Sequence, residues 1–271
     1  MMDRRPPRKA AAGKTPRDQK FSRSKPDRKS FSGDKKPFRS GPRPDQPQRE
    51  KFDFPPIPDE VSAEDLHISV RAQLKTLSAE NQEIVARHLQ MVALLVDTDP
   101  KLAHRHALAA SKKAGRIAVV RETLGVTAYT IGEYALALRE LLTHRRISGS
   151  NDQIPLIIDS ERGLGRPEKA LAQAVGIDRS KLPVGVRINL AIALSGARLD
   201  LGQTELAKQE LEIPELSPKT VYEQSPLLFR SYAEVLRELG QDGTSWDSLA
   251  DQAEKAMEQT EEETVSLQEE K

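Results

Sequence analysis

Apolar residues recur every three or four positions from about Ser62 to Thr260 and are sparse before that stretch. Leu66, Val70 and Leu74 share one helical face, and Ser62 with Asp65 three residues on supplies a cap, which predicts a helix from Ser62 to about Leu77. Ser78 caps the next one, whose Ile84, Val85, Leu89, Val92 and Val96 keep the helical period. Asp99-Pro100 restarts the chain, because Asp caps well and Pro is tolerated in a first helical turn. Helices of about fourteen residues then alternate with turns at Gly115, Thr130–Gly132, Ser148–Asp152, Gly163–Pro167, Leu182–Gly185, Asp200–Gln203, Ile213–Pro218 and Gly240–Thr244. Val184–Val186 and Pro155–Ile158 are apolar but too short, and without the alternation, to read as strands. The predicted body is all-α.

These helices pair, and the pairs repeat. Second helices align on a small residue, Ala103, Ala137, Ala170, Ala207 and Ala250, at spacings of 34, 33, 37 and 43. Smallness is required where two helices cross closely, since a bulky side chain would hold the backbones apart. The clearest pair is Val120–Arg146, with Leu124-Gly125 on its first helix and Gly132, Tyr134 and Ala137 after it. Gly165, Pro167 and Ala170 follow in the next pair, and Leu194-Ser195, Gly202, Thr204 and Ala207 in the one after.

On these residues the stretch from about Asn81 to Thr260 resembles the tetratricopeptide repeat (TPR) family, whose period is about 34 residues. The resemblance implies a TPR-like right-handed helical-hairpin solenoid of four repeats, capped by the Ser62–Leu77 helix and by the acidic end. Two residues depart from the pattern: Ile158 stands where a small residue is expected, and Pro155 is expected to break the start of its helix. The family's concave groove holds a peptide or a partner's segment. Its groove positions fall here on Glu122, Val126, Tyr129 and Thr130, then Asp159 and Arg162, then Asn189, Ile192 and Leu199. They lack the ring of Lys, Arg and Asn with which some members clamp a terminal carboxylate. As a whole, the chain also resembles uncharacterised actinobacterial TPR proteins with a basic N-terminal extension, which implies no activity.

Charge changes the picture at the N-terminus. Residues 1–51 hold 17 Lys and Arg against 6 Asp and Glu, a net of +11, while the rest of the chain holds 25 against 35, a net of −10. Eleven of the 18 prolines and five of the six phenylalanines precede Asp59, so the body must build its core from Ala, Leu, Ile and Val. The expected organisation is a disordered basic tail at 1–51, a Pro-rich linker at 52–60, the solenoid at 61–260 and an acidic disordered end at 261–271. The linker reads as a stiff segment packing its Phe and Ile on the first helix, or as a docking motif. In the tail, Arg23, Lys25, Arg28, Lys29, Lys35, Lys36 and Arg39 are placed to neutralise phosphates, with Phe31 and Phe38 free to stack on unpaired bases. That chemistry suits RNA, whether free or in a ribosome. A tail that folds back on the acidic body is the competing reading.

Catalytic chemistry finds no foothold. The chain has no cysteine, which excludes a thiolate nucleophile, a disulfide and a Cys-ligated metal. His104 and His106 are two apart on a helix and point to different faces, with no ligand at the fourth position on. Gly163–Pro167 lacks the strand and the Gly-Lys-Ser/Thr of a phosphate loop, and Ser195-Gly196 lacks the setting of a hydrolase nucleophile. Lys112-Lys113 and Arg145-Arg146 sit in last helical turns, where they complement the dipole or form a basic patch. No metal, cofactor or small-molecule substrate is expected. The longest apolar run, Met91–Val96, is too short to span a bilayer, and a cytoplasmic location is expected. The functional expectation is a non-enzymatic adaptor whose groove binds a protein partner while its tail associates with RNA or a ribonucleoprotein. The alternative is a pure protein–protein scaffold or chaperone-like adaptor whose tail engages an acidic partner.

Overall fold

The computed structural model describes residues 52–269, with side chains to residue 259. The predicted tail at 1–51 and its RNA-facing candidates lie outside the described residues. Eleven α-helices are described: α1 Ile68–Leu74, α2 Ala79–Leu95, α3 Pro100–Ala114, α4 Ala118–Thr130, α5 Tyr134–Ser148, α6 Ile154–Gly163, α7 Pro167–Gln173, α8 Val184–Asp200, α9 Thr204–Leu211, α10 Ser225–Glu238 and α11 Thr244–Glu269. No strand occurs among the described residues, so the all-α class expected from periodicity holds.

From α2 onward the helices form five successive hairpins, α2–α3 to α10–α11, each touching the next. The first helices of neighbouring hairpins also meet, α2 with α4, α4 with α6, α6 with α8 and α8 with α10. Ala103, Ala137, Ala170, Ala207 and Ala250 are each 0% exposed, as a position at a close helix crossing requires. Gly125 shows why: a Cβ there would stand 2.6 Å from the Leu141 side chain of the partner helix.

Four of the five hairpins turn by one device. Gly132 adopts φ 80°, a left-handed conformation that disfavours side chains, and its N–H bonds to the Tyr129 carbonyl while that of Glu133 reaches back to Ala128 at 2.8 Å. The same pair of bonds closes α6 at Gly165, α8 at Gly202 and α10 at Gly240. The α2–α3 turn, Asp97-Thr98, contains no glycine, and Asp99 starts α3 by accepting from the Leu102 N–H.

Several elements differ from their sequence expectation. Ser62 and Asp65 do form a capping box, but it starts only a 3-10 turn at Ala63–Asp65. Leu66 and His67 are then extended, which buries Leu66, and His67 caps the separate helix α1 through the Ser69 N–H. Pro155 does not break α6; it occupies the first turn, where no N–H is needed. Ile158 is fully buried in the central core with Leu141 and Leu194, so an aliphatic side chain fills a site where a small one was expected. Helices α7 and α9 have only 7 and 8 residues, half the expected length. Helix α11 runs through the segment expected to be unfolded, 261–269, and no Gly or Pro follows Gly243 to stop it.

Residues 52–61 form a strap over α2 and α3 rather than packing on the first helix. Arg87 of α2 donates to the carbonyls of Val61 at 2.7 Å and Pro58 at 2.8 Å. Phe54 lies against His88, Pro55 is buried, and the Lys112 ammonium stands 5.5 Å above the Phe52 ring.

Candidate functional site

Neighbouring first helices touch, and a hollow opens between those of the middle hairpins. A cavity of about 330 Å³ there takes Tyr129 from α4, Pro155, Leu156 and Asp159 from α6, Val186, Asn189 and Ile192 from α8, and Leu227 from α10. Asp152 and Gln153, in the turn entering α6, complete its rim. A second hollow of about 310 Å³ lies between Tyr129, Tyr134, Asp159, Arg162 and Asp200.

A polar ladder separates the two and ties α4, α6 and α8 together. Arg162 donates through Nη1 to Asp159 at 2.8 Å and through Nε to Asp200 at 2.7 Å, while the Tyr129 hydroxyl donates to Asp159 at 3.5 Å. The Arg162 guanidinium lies directly against Gly196 of α8, in space that any Cβ would fill. Burial pushes the Tyr129 phenol up to about 12, with the Asp159 carboxylate adding to the effect, so it remains a neutral donor. For Arg162, burial works against the charge, but hydrogen bonds to Asp200 and Asp159 outweigh it and raise its pKa.

Five of the nine groove candidates converge here: Tyr129, Asp159, Arg162, Asn189 and Ile192. Glu122 reaches the rim indirectly, accepting from Gln153 Nε2 at 2.9 Å. Val126, packed on the central core, Leu199, packed on the C-terminal core, and Thr130, whose hydroxyl donates back to the Val126 carbonyl at 3.1 Å, are not in the lining of either hollow. Sequence reasoning missed Asp152, Gln153, Pro155, Leu156, Val186 and Leu227. Leu227 offered a signal, since a leucine 55% exposed on an otherwise strongly amphipathic helix stands out once the buried face is known.

The histidines are engaged elsewhere. His88 and His106 meet Nδ1 to Nδ1 at 2.9 Å between α2 and α3, a contact that needs one ring to accept and therefore to be neutral. Burial lowers the His88 pKa to about 4, helped by His106 and Arg87, and burial also lowers that of His106. His104 pairs with Thr127 at 3.1 Å. Among the described residues no cluster of three or more His, Asp and Glu could hold a metal ion, and no helix is long and apolar enough to cross a membrane. The cavities offer carboxylates, amides, one fixed guanidinium and an aliphatic floor, which is equipment for recognising a ligand. No family model, curated protein or solved structure matches this chain.

Proposed function

We propose that this protein is a non-enzymatic, TPR-like adaptor: a right-handed solenoid whose first-helix face binds a segment of a protein partner, with a basic tail that associates with RNA or a ribonucleoprotein. The observation that carries the reading is the 330 Å³ cavity spanning four successive first helices, α4, α6, α8 and α10, in a stack turned by recurring glycine motifs. The five fully buried register alanines support the TPR likeness of the hairpins. For the tail, the support is its net charge of +11 on a chain that is otherwise −10.

Binding of a single-stranded RNA oligonucleotide to the full-length protein, measured against salt, tests the tail half. Each phosphate contact contributes a slope of about −0.7 in log K against log salt. Replacing Lys35, Lys36 and Arg39 with Gln should lower both affinity and slope. No change would remove RNA from the account and leave a protein scaffold whose tail meets an acidic partner. For the groove half, partners crosslinked in nuclease-treated lysate should persist with wild type and disappear with Leu227→Glu.

A further inference from the structure

The cavity on the first-helix face has a chemical polarity of its own. Its floor is aliphatic, built by Pro155, Leu156, Val186, Ile192 and the exposed Leu227. Its rim carries two carboxylates, Asp152 and Asp159, and Glu122 lies one hydrogen bond behind Gln153. Arg162, which shares Asp159 with the cavity rim, is held by Asp159 on one side and by both oxygens of Asp200 on the other. A ligand entering here therefore meets acid over hydrocarbon and no unpaired guanidinium or ammonium along the cavity lining.

We propose that the groove binds an extended protein segment in which a Lys or Arg is flanked by an aliphatic residue, the cation on Asp152, beside the net negative Asp159–Arg162–Asp200 cluster, and the aliphatic side chain on Leu156, Val186, Ile192 and Leu227. The inference rests on the adaptor reading above and adds the class of partner. An acidic segment is disfavoured because its carboxylates would face Asp152 and an Asp159–Arg162–Asp200 cluster in which two carboxylates meet one guanidinium. The asparagine and glutamine at the rim, Asn189 and Gln153, are suited to the backbone amides of an extended chain, which would fix its direction without adding charge.

The test is selection of a randomised decapeptide library on immobilised full-length protein at low and at high salt. Lys or Arg beside Leu, Ile or Val should be enriched, and high salt should weaken capture. With the selected peptide, Asp152→Lys should cut affinity by about tenfold or more, since a favourable charge becomes a repulsive one at an exposed site. Leu227→Glu should abolish binding, and both variants should keep the wild-type circular dichroism and melting temperature. Enrichment of neutral or acidic peptides that still depend on Leu227 would overturn the basic-aliphatic assignment and leave the adaptor standing. No enrichment, or enrichment insensitive to Leu227→Glu, would overturn both.

Discussion

The α2–α3 hairpin and the α4–α8 region are built from the same unit and finished in opposite ways. Among the described residues no hairpin precedes this one, and the strap, with its Phe52–Phe54 pair and its bonds from Arg87, lies over α2 and α3 beside the buried His88–His106 contact. In the middle, neighbouring hairpins already cover the sides. On their first helices, Tyr129, Asp159, Arg162 and Asp200 form a ladder and leave a cavity beside it. One hairpin is thus covered by neighbouring chain, whereas the middle ones leave a hollow between their first helices.

The comparison breaks most severely at the crossings. Gly125→Leu should destabilise the protein by about 3 kcal/mol or more, because even a Cβ would press on the Leu141 side chain and backbone of α5. Thermal unfolding followed by circular dichroism measures it, and an unchanged midpoint would contradict the crossing. At the capped end, Arg87→Ala removes two bonds to strap carbonyls from a charged donor and should cost about 2 kcal/mol. Limited proteolysis between residues 52 and 61 should accelerate in this variant and stay unchanged in groove variants.

Acid sharpens the same contrast. The depressed His88 pKa means that the unfolded chain takes up a proton near 6.5 while the folded one resists until about 4. The unfolded state therefore binds more protons across that window, and stability should fall as pH drops from 6.5 to about 4. Denaturant melts across that range should show a shallower decline for His88→Gln than for wild type. The smallest effect is expected in the middle: Tyr129→Ala should cost under about 1 kcal/mol, since the ring is only half-buried and its hydroxyl bond is long, while weakening peptide binding. Equal losses of melting temperature in Tyr129→Ala and Gly125→Leu would dissolve the distinction between groove and crossing.

Local signals were legible in the sequence because they act within one turn or one helix. The capping serines Ser62 and Ser78, the Asp99-Pro100 start and the glycine turns lie where composition places them. The register alanines are also fully buried, as small residues at a fixed offset from a turn are expected to be. What was illegible depends on how one hairpin rotates against the next. The Arg162–Asp200 pair joins residues 38 apart, and His88 meets His106 across 18, so neither partner could be chosen from spacing. The break at Leu66-His67 and the short α7 and α9 likewise reflect what neighbouring helices leave room to bury. Leu227 was missed because the repeat pattern loosens at its last spacing, 43, and the groove register was not carried onto α10.

The proposed recognition surface is the first-helix face of the middle hairpins. It is tested most directly by titrating one selected basic-aliphatic peptide into full-length wild type, Leu227→Glu and Val175→Glu, since Leu227 is 55% exposed in the cavity and Val175 is 81% exposed outside its lining. Binding lost in Leu227→Glu and retained in Val175→Glu is the predicted result. Equal affinity in all three, or equal loss in both variants, would contradict it.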